Sequence, residues 1–283
     1  MSRIQKLNFT KLELKEENIM SILANRAKSV NTMPVDGIYV IYGLQGTGKT
    51  VLASTFPKTE EKPMLYLDFL EGGTGSISVA ERDNIQVVEI NDFAELDEVL
   101  TDVEKGSTTD ENGQVIPVQF STIVFDSATQ LEYLMKQYLM KVENKDKMNL
   151  NLWGQAKQGH DQLWNMCKYL HKKTGANIVV ICHQKEVQDE ENPGNNKIIP
   201  SLMNSAAYGL CAKASFVWYT KIEQESKIDP STNQVETVQN YVTYIDSCQA
   251  YLSKTRKPKE MKIPLFVKNL TYAKFKKNIL DKL

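Results

Sequence analysis

The stretch Gly43-Leu44-Gln45-Gly46-Thr47-Gly48-Lys49-Thr50 decides the fold. It is a G-x-x-x-x-G-K-[ST] pattern set between two apolar segments. Before it run the β-branched and aromatic residues Ile38-Tyr39-Val40-Ile41-Tyr42, and after it comes a short apolar helical stretch, Val51 to Phe56, closed by Pro57. A strand, a glycine-rich loop and a helix in that order make a phosphate cradle. The glycines let backbone N–H groups close around a phosphate chain, and the helix N-terminus adds its partial positive charge. On this reading Gly43, Leu44, Gln45, Gly46, Thr47, Gly48, Lys49, Thr50 and Val51 bind a nucleoside triphosphate, with ATP and Mg²⁺ as the expected cofactors. Lys49 reaches the β- and γ-phosphates, and Thr50 Oγ holds the metal. The other reading, a glycine-rich turn without a ligand, does not account for the strand and helix on either side.

The chain has 283 residues, which suits one large α/β domain with a sizeable buried core. A hydrophobic content of 41% and a charged content of 24% are ordinary for a soluble protein. No apolar run approaches the ~18 residues needed to span a bilayer, so no membrane partner is expected. The start, Met1 to Lys6, leads into no apolar stretch of a secretion signal. Cys167, Cys182, Cys211 and Cys248 are far apart and form no C-x-x-C, which fits a reducing cytoplasm better than structural zinc or disulfides. The net charge of −1 is unevenly placed, because Leu252 to Leu283 holds ten Lys/Arg and two Asp/Glu. Such a basic tail either meets a polyanion or forms a solvated lysine-rich helix.

Taken in order, residues 1–35 form an arm before the first core strand, with a short amphipathic helix over Glu16–Ala27 and a lone aromatic, Phe9. Met64-Leu65-Tyr66-Leu67-Asp68 reads as a buried strand ending in a carboxylate, Gln86–Ile90 as a third strand. Phe93, Leu96, Val99, Leu100 and Val103 mark an amphipathic helix. Residues 105–118 read as an exposed turn or hairpin. Ser121–Phe125 is the next strand, ending in Asp126-Ser127. Two helices follow, the second stopping at Lys173-Thr174-Gly175. Asn177–Cys182 is a strand ending in His183-Gln184-Lys185, and residues 186–200 read as a long polar loop. Later strands are expected over Ala214–Lys221, Thr237–Ile245 and Ile263–Val267, before a basic helix over 271–283. The alternation gives an α/β fold: a mostly parallel twisted sheet with helices on both faces, antiparallel strands toward the C-terminus, and one ligand site along the C-terminal edge of the strands.

Several residues sit where a triphosphate site needs them. Asp126 ends an apolar strand, as a Walker B carboxylate does when it holds the Mg²⁺ shell. The next residue is Ser127 rather than Glu, so the water-activating carboxylate comes from elsewhere. Glu71 is the first candidate and Asp68 the second, both just past the second strand. Gln184, ahead of His183, is the candidate γ-phosphate sensor. His160 and His171 lie among apolar neighbours and read as packing. Lys254 and Arg256 either complete a neighbouring subunit's site, as an arginine finger does, or form a solvated basic turn.

These features resemble the RecA family. Ile123-Val124-Phe125-Asp126-Ser127 is similar to its Walker B strand, where Ser follows the metal Asp and the catalytic Glu sits after an earlier strand, the place of Asp68 to Glu71. Here the spacing is Asp68-Phe69-Leu70-Glu71, one residue longer than the family's Asp-x-Glu. Glu71-Gly72-Gly73-Thr74, Leu152-Trp153-Gly154, His183-Gln184-Lys185, Phe216-Val217-Trp218-Tyr219 and the late Lys254/Arg256 pair extend the resemblance, more narrowly, to the small phage RecA-like ATPases. It implies a RecA-like ATPase core over 36–270 that forms a homo-oligomer, a ring or filament. It implies action on single-stranded DNA in phage recombination, annealing or replication, in the host cytoplasm, beside a phage single-stranded DNA-binding protein. Nucleic-acid contacts would come from Lys185, Lys197, Lys213 and Tyr208. An AAA+-type helicase loader or remodeller, and a nucleotide-gated interaction module with little turnover, are the readings from other classes.

Overall fold

Strand β1 (Ile38–Gly43) is buried along its whole length, as its run of β-branched and aromatic residues demands of a strand covered on both faces. It pairs in parallel with β7 (Asn177–Gln188) on one side and β9 (Phe216–Ile228) on the other. Beyond β7 lie β6 (Thr122–Asp126), β2 (Met64–Asp68) and β3 (Ile85–Glu89), all parallel. Beyond β9 the sheet turns antiparallel, through β10 (Val235–Tyr244) to β12 (Phe266–Lys268). The protein is therefore a mixed α/β fold on a mostly parallel sheet. The structure, a computed structural model, describes residues 37–70, 82–188, 194–228 and 235–283. The helix expected over Glu16–Ala27, the arm with Phe9, and Glu71 with the glycines after it lie outside the described residues.

On one face, Val40, Leu67, Phe125 and Val180 join side chains from α2 (Phe93–Lys105), α3 (Ala128–Val142), α4 (Leu150–Thr174) and α5 (Asn204–Lys213) in one core. The other face is aromatic. Tyr39 stacks on Phe216 with ring centroids 4.6 Å apart, and Trp218 meets Phe275 at 4.7 Å. Phe275 is fully buried and belongs to α6 (Tyr272–Asn278). The basic terminal helix is thus pinned to the sheet by its one buried aromatic, and Lys274, Lys276 and Lys277 remain exposed. The polar stretch 107–117 forms a small hairpin of β4 (Ser107–Thr109) and β5 (Val115–Pro117). Among the described residues, no helix is long and apolar enough to cross a membrane.

One expectation needs correction. Residues 186–200 are not a simple loop: β7 continues to Gln188, and β8 (Asn196–Pro200) returns antiparallel to it, from Gln188–Asn196 to Gln184–Pro200. The cause is apolar anchoring that polar composition hides. Ile199 is fully buried in the main core, and the carbonyl of Ile198 accepts the Tyr42 hydroxyl at 3.0 Å.

Two histidines serve the packing expected of them. His171 accepts from Gly37 N at 3.0 Å through Nε2 and donates to the Ala176 carbonyl at 2.8 Å through Nδ1. His160 on α4 meets Glu132 on α3 at 3.1 Å. Glu132 also accepts from Lys136 at 2.5 Å and from Met203 N, just before α5, at 2.7 Å. Burial alone would raise this carboxyl, but the nearby His160 ring and the bonds from Lys136 and Met203 N hold it down to about 2 against a usual 4.5. A carboxylate with a depressed folded-state pKa stabilises above its unfolded value and loses that contribution as pH falls through the folded one. Glu132→Gln should therefore cost about 1–3 kcal/mol at neutral pH. In urea denaturation its gap from wild type should close as pH drops from 4.5 toward about 2. A gap unchanged over that window would show that the charge on Glu132 contributes nothing.

Candidate nucleotide site

The loop after β1 folds back on its own strand. Thr47 Oγ1 donates to the Leu44 carbonyl at 2.8 Å and lies 2.8 Å from Thr220 Oγ1 on β9. Thr220 Oγ1 in turn donates to the Tyr42 carbonyl at 3.2 Å. Gly43 allows this approach, since a Cβ there would stand 2.2 Å from the Thr220 carbonyl oxygen. Gly46 and Gly48 take φ of +78° and +80°, the left-handed region that turns the chain into α1 (Lys49–Ala53). The buried Lys49 ammonium donates to the carbonyls of Gly43 at 3.2 Å and Leu44 at 2.7 Å. It lies over the loop, where a phosphate oxygen offers a stronger, charge-assisted acceptor than a carbonyl.

The second residue of α1 reaches across the sheet. Thr50 Oγ1 donates to Asp126 Oδ2 at 2.8 Å, although β6 is separated from β1 by the whole width of β7. The Tyr66 hydroxyl donates to the same oxygen. Burial pushes the Asp126 carboxyl up from its usual range, and the bonds from Tyr66 and Thr50 and the charge of Lys49 offset only part of that. Ser127 follows through a cis peptide, and its Oγ accepts from Gln130 N at 3.2 Å as the cap of α3. Among the described residues no three His, Cys, Asp or Glu gather as a metal cage. One hydroxyl and one carboxylate, both oxygen donors beside a phosphate cradle, instead fit Mg²⁺, which takes few protein ligands and completes its shell from phosphates and water. Thr50 and Asp126 are the residues that would hold it.

These groups line a cleft of about 840 Å³. The P-loop lines it together with Asp68, Asp126, His183, Arg82, Tyr241, Thr243, Asn269 and Leu270. Asp68 stands in register with Asp126. Its Oδ1 accepts from Leu70 N at 2.9 Å, shaping a turn in which Leu70 has φ +51°. Glu71 lies outside the described residues. His183, not the favoured Gln184, lines the cleft. His183 stands in register with Gly43, and strand alternation turns the next side chain to the other face. The Gln184 Oε1 atom is buried with no hydrogen-bond partner among the described residues.

The other expected residues lie elsewhere. Lys254 begins and Arg256 follows β11 (Lys254–Thr255), which pairs with the start of β9, at the opposite end of the strands from Thr220. Both donate to the Ala212 carbonyl near the end of α5, at 3.4 and 2.6 Å, so neither belongs to the cleft of its own chain. Lys185 donates to the Leu202 carbonyl and, at 2.7 Å, to Asn204 Oδ1. Lys213 pairs with Asp161 at 2.8 Å. Lys197 lies on β8, and Tyr208 stands out from α5 at 45% exposure.

Sequence reading missed Tyr66, Thr220 and Tyr241. Counting by twos back from Asp68 places Tyr66 on the carboxylate's face, a signal present in the sequence. Thr220 and Tyr241 owe their places to strand pairing and carry no local mark.

A family model described as an AAA domain matches residues 37–257. No curated protein matches the chain.

Two of the loop's three glycines should respond differently to a methyl group. Gly46→Ala meets nothing within 4 Å among the described residues and should cost about 1–2 kcal/mol for its left-handed backbone. Gly43→Ala drives a carbon into a backbone carbonyl and should cost clearly more, about 3 kcal/mol or beyond. Denaturant midpoints compare them, and equal costs would refute the close approach to Thr220.

Proposed function

The chain belongs to the AAA domain family, a nucleotide-binding ATPase type, and we propose that it is a RecA-like, Mg²⁺-dependent ATPase acting on single-stranded DNA. The observation that carries the ATPase reading is the Thr50–Asp126 bond at 2.8 Å beside the P-loop, which sets a metal pair against the phosphate cradle. Bound Mg²⁺ would neutralise charge developing on the phosphates. Lys49 exchanges its loop carbonyls for phosphate oxygens. Because Ser127 caps α3, the carboxylate that orients the attacking water comes from the end of β2. Asp68 already accepts from Leu70 N, which leaves Glu71 as the first choice for that role and Asp68 as the second.

Two features support the RecA-like reading over a helicase loader or remodeller. Ser127 stands where a loader would carry an acidic residue. The described residues after β9 form antiparallel strands, one short α-helix and a single 3₁₀ turn where a loader would carry a helical lid. The AAA description of the family keeps the loader reading as the second one. For DNA, the reading draws on the hairpin β7–β8 with Lys185 and Lys197, and on α5 with Tyr208 and Lys213. Backbone charge would dominate, with stacking on Tyr208. Assembly with further copies, as a ring or filament, would bring Lys254 and Arg256 toward a neighbour's cleft.

ATP turnover measured with and without single-stranded DNA tests the proposal. Turnover should rise with DNA at low salt, lose that rise steeply as salt increases, and fall about a hundred-fold or more in Lys49→Ala. Turnover indifferent to DNA at low salt would refute the DNA reading, and stimulation only by a helicase would favour the loader. Glu71→Gln should bind ATP without hydrolysing it. An active Glu71→Gln beside an inactive Asp68→Asn would transfer the role to Asp68.

A further inference from the structure

Tyr66 is fully buried in the middle of β2, a place where phenylalanine would fill the space without a polar atom to satisfy. A buried hydroxyl is costly unless bonded, and the Tyr66 hydroxyl is bonded to Asp126 Oδ2. The register explains why this side chain reaches. Tyr66 stands opposite Val124, so Asp126 is two residues along the neighbouring strand and on the same face. Two residues along a strand at about 3.3 Å each and one strand spacing of about 4.8 Å make a diagonal of about 8 Å, within reach of an aromatic side chain and beyond that of serine or threonine. Thr50 arrives at the same oxygen from α1. Two donors from two elements fix the carboxylate's position against the start of α1.

We infer that Tyr66 is a positioning residue for the magnesium pair, holding the Asp126 carboxylate against Thr50 before the metal arrives. The inference rests on the reading of Thr50 and Asp126 as that pair. Tyr66 touches neither phosphate nor metal in this role. It acts through Asp126, as partners behind metal ligands do, and losing such a partner weakens metal affinity by about 10–100-fold. A tyrosine that merely filled the core would leave metal affinity alone when replaced by phenylalanine.

The test uses the full chain and a fluorescent ATP analogue. Binding is measured without metal and then across a Mg²⁺ titration, with Mn²⁺ binding followed by electron paramagnetic resonance as a readout independent of turnover. Tyr66→Phe should raise the Mg²⁺ and Mn²⁺ midpoints about ten-fold while metal-free nucleotide affinity stays at the wild-type value. In an Asp126→Asn background, adding Tyr66→Phe should shift the midpoint no further. Unchanged midpoints in Tyr66→Phe, or an equal loss of metal-free binding, would overturn the inference. If Asp126→Asn and Thr50→Ala themselves leave the midpoint at the wild-type value, the magnesium pair is misassigned and the inference falls with it, a result distinct from failure of Tyr66→Phe alone.

Discussion

One oxygen atom, Asp126 Oδ2, takes hydroxyls from two separate elements, Thr50 at the start of α1 and Tyr66 in the middle of β2. The rest of the site hangs on this convergence, because it ties the P-loop helix to a strand two places away across the sheet. It is electrostatically incomplete. A hydrogen bond to a charged group contributes about 1.5–3 kcal/mol, while taking a carboxylate out of water costs several. The upward push on the Asp126 carboxyl reflects that deficit. On the reading proposed above, a divalent cation would supply the positive charge that the two hydroxyl donors do not. The backbone supplies the other half: without the bare Cα of Gly43 against the Thr220 carbonyl, β1 could not deliver the loop to this place.

What was legible in the sequence was local. The P-loop announces itself because left-handed turns, phosphate-facing N–H groups and a lysine must occur within eight consecutive residues. Asp126 is legible because an apolar run ends abruptly in a carboxylate. What was not legible depends on pairing between distant strands. Thr220 and Tyr241 reach the cleft only because β9 lies beside β1 and β10 beside β9. His183 and Gln184 make the point most narrowly. The strand end is visible in the sequence, but which of two adjacent side chains faces the cleft depends on register with Gly43, and a slip of one residue exchanges them.

Polar composition misled at the hairpin for a related reason. A segment rich in Asn, Gln, Lys and Glu reads as a loop, yet two isoleucines anchor its return strand, Ile199 in the main core and Ile198 through its carbonyl. Charge counts misled similarly about availability. The excess of cations after Leu252 is real, but Lys254 and Arg256 both donate to a carbonyl near the C-terminal end of α5, where positive charge meets the negative end of the helix dipole. A role for either in a neighbouring subunit would have to exchange that acceptor for a phosphate, which is a favourable exchange for a guanidinium.

The hairpin also changes how a signal from the cleft would travel. A disordered loop would respond to a phosphate by becoming ordered. Here β7 is one continuous strand from Asn177 to Gln188, with His183 at the cleft and Lys185 two residues on at the start of α5. The backbone of His183 is held on both sides, its N–H donating to Thr129 Oγ1 at 3.0 Å on α3 and its carbonyl accepting from Ser201 N at 2.7 Å. Any displacement of His183 is therefore shared with the helix that follows Asp126 and with the segment that leads into α5. In such a frame a nucleotide bound as proposed would act on the far surface by shifting a paired strand and the helix bonded to it, because a laddered strand passes on a movement that a free loop would absorb.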